Sequence, residues 1–367
     1  MEWLKTRVTQ SVELWDRYER RLSVIGLATG FIFDLIIANR PDSPTNNVLL
    51  LSYLFVSGGL ILILNLRTLR KKDVDVTPPL LLLLVLQFCF GGLASNLLIL
   101  YGRSGTFAGS ALFILVLVGM LIGNEFLKSR YAQLRFNIVV YYMLLLTYCI
   151  IAVPTFIFHS VGTLVFLASG LVSLVFIGFF LALVYVVVLR GRQRGHQLYE
   201  VSFLVGFVFV LFNAFYFLGI IPPVPLSLKN IGVYHSVQKI APGTYAGVYE
   251  DAPWYVFWRD TDNTYTVKGG EKATCFSSVF APTGLSTPIF HRWEKYDDTK
   301  GAWTTISRIS FPISGGRGEG YRGWTLSGVT PGRWRCDVET QNGALIGRIS
   351  FVVVENPAGA TISTKTL

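Results

Sequence analysis

Two hydrophobic rhythms divide the chain. From about residue 22 to residue 221, long apolar runs are separated by short polar connections; beyond that, apolar residues recur at every second position in short segments. A helix needs about 20 mostly apolar residues to cross a bilayer core. Seven segments meet or approach this: Leu22–Ala38, Val48–Leu66, Pro79–Tyr101, Ala108–Leu127, Phe136–Phe158, Val161–Leu189 and Val201–Ile221. The first is the shortest and carries Asp34; the sixth, at 29 residues, has length to tilt or project. Thr77-Pro78-Pro79 predicts an N-cap with proline in the first turn, and Pro154 predicts a kink or an end of the fifth helix. Ahead of the spans, Leu4, Val8, Val12 and Trp15 form one apolar stripe. It predicts an amphipathic helix over 1–21, either lying on the inner membrane face or packed on the ends of the other helices. The acidic residues there, and the lack of a small-residue cleavage site, argue against a signal peptide.

The second rhythm is clearest in Arg333–Glu339. Trp334, Cys336 and Val338 face one side, and both arginines and both acids face the other. Ile349, Phe351 and Val353 repeat it. Further strands are predicted at Gly232–Val237, Tyr245–Tyr249, Trp254–Arg259, Lys272–Phe280, Pro288–Tyr296, Trp303–Ile313 and Tyr321–Leu326, separated by glycine- and proline-rich turns. The glycine run from Gly315 to Gly320 reads as a flexible hairpin tip. Short strands with regular turns predict an antiparallel sandwich of immunoglobulin-like type. The expected architecture is a membrane all-α seven-helix bundle plus an extracytoplasmic all-β domain. Its parts are an interfacial helix (1–21), the transmembrane domain (22–221), a linker and membrane-proximal β lobe (222–270), the sandwich (271–355) and a flexible tail (356–367).

Charge orients this arrangement. Lys and Arg crowd the segment before the first span and the second, fourth and sixth connections, whereas the alternate connections hold only Arg40 and Arg103. Basic residues favour the cytoplasmic side, so the N-terminus is expected inside and the C-terminal domain outside, which requires an odd number of spans. Net charge is +10 and charged residues are only 15% of the chain, with a mean hydropathy of +0.50. A purely soluble or a disordered chain is excluded by that composition. The basic surplus lies mostly in the apolar half, so it is read as membrane orientation and not as nucleic-acid binding.

The ordered set His291-x-Trp293, Tyr321-Arg322-Gly323-Trp324, Pro331-Gly332-x-Trp334-Arg335 and Gly343-x-x-Ile346-Gly347-Arg348-x-x-Phe351-x-Val353 resembles the domain of unknown function family twenty-nine-fourteen. The resemblance covers about the last 100 residues. It implies a bacterial envelope protein with a small β domain at its C-terminus, placed in the inner (cytoplasmic) membrane with that domain periplasmic, and it implies no activity.

Candidate chemistry is sparse. The four histidines, His159, His196, His235 and His291, show no metal-ligand spacing, and neither a nucleophile elbow nor a phosphate-binding glycine loop is present. No catalytic residue, metal or cofactor is assigned. Asp34, Arg40, Asn96, Arg103, His159 and Asn213 all fall near the outer ends of the spans. They form either an outward-facing polar cavity or a set of ordinary helix-joining pairs, with Asp34 directed at Arg40, Arg103 or Asn96. Gly26-x-x-x-Gly30 and Gly119-x-x-x-Gly123 are close-packing motifs, serving the bundle or a homodimer. Trp254, Tyr255 and Trp258 are candidate interfacial aromatics, with a sugar platform or a partner surface as other readings. Cys275 and Cys336 fall in the domain expected outside the cytoplasm, where a disulfide persists; two unpaired core cysteines are the competing reading. Two functions remain open. One is a non-catalytic membrane protein presenting its sandwich to a protein partner, or to another copy, as an accessory subunit of an envelope complex. The other is a transporter or enzyme handling a lipid-linked or carbohydrate ligand.

Overall fold

The computed structural model describes residues 31–36, 38, 40–70, 80–105, 107–126, 133–189, 195–252, 262–268, 270–356 and 361–367. The predicted interfacial helix, most of the first predicted span, the Gly26/Gly30 motif, the Thr77-Pro78-Pro79 cap and the segment with Trp254, Tyr255 and Trp258 lie outside the described residues. After a helical stretch at 31–36 come α1 (Pro44–Arg70), α2 (Leu80–Gly102), α3 (Phe107–Phe126), α4 (Leu134–Val153), α5 (Thr163–Val184) and α6 (Gly195–Phe217). Five helical segments are long and apolar enough to cross a membrane: Pro44–Arg67, Leu82–Gly102, Leu134–Phe158, Thr163–Val188 and Gly195–Phe217. A shorter apolar helix spans Ser110–Gly123. The described residues therefore carry five such helices where the hydrophobic pattern predicts seven spans. The first predicted span is described only in part, and the apolar stretch of α3 is short. Leu164, Phe55 and Phe179 are 83%, 78% and 74% exposed. Helices that are apolar on the outside as well as inside suit a hydrocarbon solvent.

Pro154 acts where the sequence places it. It has no N–H to donate, and α4 gives way to a π turn over Pro154–Phe158 in which the Thr155 hydroxyl donates to the Ile151 carbonyl at 2.6 Å. His159, at φ 49°, ends that turn in the left-handed region.

Two compact units make up the chain. The first comprises residues 1–100, 114–149 and 169–214. Its helices are joined by polar pairs and by close approaches at glycine. The side chains of Asn46 and Asn96 exchange two hydrogen bonds, at 3.2 and 2.6 Å, tying α1 to α2. The Tyr148 hydroxyl donates to Asn47 Oδ1 at 3.3 Å, tying α4 to α1. Gly92 lies under the Tyr53 ring and Gly170 under Phe209, leaving no room for a Cβ at either position. Gly119, by contrast, has nothing within 4 Å of where its Cβ would stand, so it makes no close approach among the described residues.

The second unit comprises residues 101–113, 150–168 and 215–367. It holds eleven described strands: β1 (Ser227–Tyr234), β2 (Ser236–Ala241), β3 (Thr244–Glu250), β4 (Thr264–Val267), β5 (Lys272–Phe280), β6 (Ser286–Asp297), β7 (Ala302–Ser314), β8 (Tyr321–Gly328), β9 (Gly332–Thr340), β10 (Leu345–Glu355) and β11 (Ile362–Thr366). A three-stranded sheet, β1-β5-β8, and a five-stranded sheet, β4-β10-β9-β6-β7, share one core; β11-β3-β2 is a third sheet. Ladder pairs are antiparallel except β4 with β10. Val233, Ala273 and Cys275 from one sheet meet Trp293, Trp334, Cys336, Phe351 and Val353 from the other. Cys275 of β5 is bonded to Cys336 of β9, with α-carbons 6.6 Å apart, so the bridge crosses from sheet to sheet. Closing a 61-residue loop contributes about 4 kcal/mol in the chain-entropy treatment. Cys89 and Cys149 are free and buried.

Three sequence expectations are corrected here. Residues 222–270 are not wholly a separate lobe: β1 and β4 are edge strands of the two sandwich sheets, and of the described strands in this stretch only β2 and β3 lie in the third sheet. β4 is only four residues long, too short to show alternation. Residues 356–367 are not all a flexible tail: β11 pairs with β3, and Leu367 is seated among Tyr234, Tyr245 and Phe276. An edge strand of Ser, Thr and Lys has no apolar alternation to read. Gly315 and Gly316 are not a hairpin tip, because β7 and β8 belong to different sheets. Their amides donate to the carbonyls of Leu285 and Ala281 at 2.8 and 3.0 Å, and Gly315 lies so close to the Pro282 carbonyl that no side chain fits.

The Asn46–Asn96 pair generates a test. Asn96→Leu strands a buried amide and lowers the stability of the solubilised protein by about 1 kcal/mol. Asn46→Leu combined with Asn96→Leu removes both partners and costs less than the sum of the single changes. A double-mutant cycle on thermal unfolding reads the coupling.

Candidate functional site

The six polar residues singled out near the span ends occupy different environments. Asp34 is 3% exposed and sits beside Ser95. Arg40 forks onto Asp42, at 3.0 and 2.9 Å. Asn96 is spent on Asn46, and Asn213 donates to the Phe209 carbonyl of its own helix at 2.8 Å. These four belong to the first unit, whereas Arg103 and His159 belong to the second. His159 lays its ring against Gly284, and its carbonyl accepts the Ser286 N–H at 3.4 Å. Arg103 lines a cavity of about 450 Å3 together with Lys229 and Arg348. Asn96 thus joins two helices and Asn213 bonds within its own, whereas Arg103 lines an open space in the second unit.

A second polar cluster lies within the sandwich core. Ser277 Oγ is 2.8 Å from His291 Nε2, His291 Nδ1 is 3.0 Å from Thr325 Oγ1, and the Trp293 indole N–H donates to the same hydroxyl at 3.0 Å. Strand periodicity puts His291 and Trp293 two apart on β6, so both point inward. Ser277 and His291 are 0% exposed. A serine beside a histidine resembles a nucleophile beside its base, but full burial closes this pair to any substrate. Its chemistry is mutual satisfaction of polar groups in an apolar core. Burial pushes the His291 imidazole down to about 3, so it is neutral. The Cys275 and Cys336 sulfurs lie with a His291 nitrogen within 4.8 Å of one another. Both sulfurs are consumed by their bond, which leaves one nitrogen and no set of metal donors.

The other face of the five-stranded sheet carries an ionic layer. Asp337, 0% exposed, accepts from Arg348 at 2.6 Å twice and from Arg292 at 3.0 Å. Glu339 accepts from Arg308 at 2.6 Å, and Glu294 from Arg335. Arg308 also lies over the Phe290 ring and Arg335 over Trp303. The alternation in β9 shows both acids and Arg335 turned away from the core. The partners come from β6, β7 and β10, which a reading of one strand does not bring together.

Residues 286–353 match the family described as "Protein of unknown function (DUF2914)", within the segment whose ordered motifs resemble it. No curated protein matches the chain. Among solved structures, an immunoglobulin-like protein from Pseudomonas aeruginosa is similar at 16% identity, over 32% of this chain and 97% of that one, with a TM-score of 0.19. An alkylpurine DNA glycosylase from Pseudomonas fluorescens, bound to DNA containing an abasic site analog, is similar at 10% identity over 76% of this chain and 83% of that one, with a TM-score of 0.20.

The neutral His291 makes stability pH-dependent with a defined sign. The unfolded chain takes up a proton at this residue below about 6.5, and the folded chain does not until about 3. Stability from this group is therefore present above 6.5 and lost as pH falls through the window, by at most ~1.4 kcal/mol per pH unit. His291→Gln removes the titration. The stability advantage of the wild type over this variant, read from urea unfolding, shrinks between about pH 7 and pH 4.5.

Proposed function

We propose that the protein is a non-catalytic integral protein of a bacterial inner membrane, with seven spans and a cytoplasmic N-terminus. Its immunoglobulin-like sandwich stands outside the cytoplasm and presents an edge to a protein partner, as an accessory subunit of an envelope membrane complex. The alternation of connections rich and poor in Lys and Arg supports the threading. The Cys275–Cys336 bond supports an oxidising compartment for the sandwich. The observation that carries the partner reading is β7. It is the edge of the five-stranded sheet, 13 residues long and exposed over most of its length, with Ile306 50% exposed. Long open edges with apolar side chains are templates for an added strand. Pro312 and Arg308 guard this edge at only two positions.

The reading as a transporter or an enzyme for a lipid-linked or carbohydrate ligand has one observation in its favour, the cavity at Arg103.

Reporter fusions after Arg194 and after Leu228 report opposite compartments, the first cytoplasmic; equal reports would overturn the threading. A photo-cross-linking residue in place of Ile306 gives a discrete heavier adduct in native membranes, and one in place of Val352 does not. Absence of any adduct at Ile306 counts against edge presentation.

A further inference from the structure

The cavity in the second unit has an unbalanced lining. Arg103 follows the last residue of α2, Lys229 lies on β1 and Arg348 on β10, so three separate elements each bring a cation to one space of about 450 Å3. Ser227 adds a hydroxyl, Gly105 and Gly347 keep the wall low, and no acidic residue is part of the lining among the described residues. Arg348 forks onto Asp337, which holds its guanidinium at the cavity wall. The Lys229 ammonium lies 5.6 Å from the Phe280 ring and has no carboxylate partner among the described residues. Three basic side chains from separate elements on the wall of one concave space favour an anionic occupant.

We infer that this cavity binds a phosphate group. The fork of Arg103 and the point charge of Lys229 suit tetrahedral phosphate oxygens, which accept several charge-assisted hydrogen bonds at once. The volume exceeds that of inorganic phosphate and falls in the range of small-molecule sites, so the phosphate is part of a larger group. Arg103 stands one residue past a helix long and apolar enough to cross a membrane. A phospholipid headgroup reaches such a depth directly, and a phosphorylated solute reaches it from the aqueous side; the recognition chemistry is the same. On the expected outer connections, basic residues number only two, and one of them, Arg103, lines the cavity. The inference stands independently of the partner reading for β7.

The test uses the full chain. In one arm, protein in nanodiscs of phosphatidylcholine with a minority of phosphatidylglycerol is released into the gas phase, and retained lipids are identified by mass. In the other arm, detergent-solubilised, delipidated protein is titrated with glycerol 3-phosphate, with unfolding temperature as the readout. Lys229→Gln and Arg103→Gln change exposed side chains, and Lys365→Gln is the control. Retention of phosphatidylglycerol that falls at least tenfold in Lys229→Gln, with no response to the solute, identifies a lipid headgroup. A saturable rise in unfolding temperature with glycerol 3-phosphate, lost in the same variant, identifies a solute. Both arms negative for the wild type, or binding equal in wild type and Lys229→Gln, overturns the inference. Neither result bears on a cross-link at Ile306, so the two proposals fail separately.

Discussion

One covalent crossing organises the β domain. The Cys275–Cys336 bond joins a central strand of each sheet, and Trp293 is the ladder partner of Cys336, so the largest buried side chain packs beside the bond. Trp293, Trp334 and Phe351 pack in one cluster with both bonded cysteines. A sandwich of two thin layers has little core depth, and a bridge between layers restrains the unfolded chain where burial alone is modest. The hydroxyls of Ser277 and Thr325 complete the arrangement, since an imidazole or an indole N–H left unbonded at that depth carries a penalty of about 1–3 kcal/mol.

The helical part solves the same problem with different means. In hydrocarbon, packing alone distinguishes poorly between one helix neighbour and another, because lipid is as apolar as leucine. Paired amides at Asn46 and Asn96, and aromatic rings laid on Gly92 and Gly170, single out neighbours by shape and by hydrogen bonding. Asn46, Asn96 and Tyr148 thus join neighbouring helices, whereas Asn65, Thr147 and Asn213 bond carbonyls of their own helices.

How much of this was legible along the chain depended on whether the signal was local. Arg333–Glu339 lies within β9 because alternation is a property of consecutive positions, and Lys272–Phe280 has the bounds read from the sequence although it is buried on both faces. The proline at 154 was equally readable, since a missing N–H acts within one turn. β4 and β11 were not: one is too short, and the other has no apolar face. Nor could a linear pattern reveal that Arg103, Lys229 and Arg348, separated by more than a hundred residues in each step, share one space. The polar residues near the span ends stand out in the sequence, but their neighbours are fixed by helix rotation, which hydropathy does not encode.

The ionic layer on the far face of the five-stranded sheet constrains how the sequence can change. Asp337 answers to arginines on two strands, and Glu339 to Arg308 on a third. Replacing one acid leaves cations without counter-charge, and replacing one arginine leaves a buried carboxylate exposed to its own field. Single steps are each unfavourable, while joint exchanges that preserve the charge sum are not. Positions 292, 308, 337, 339 and 348 are thus constrained jointly, and a tolerated change at one of them is expected to need a compensating change on another of four strands that lie far apart in the linear chain.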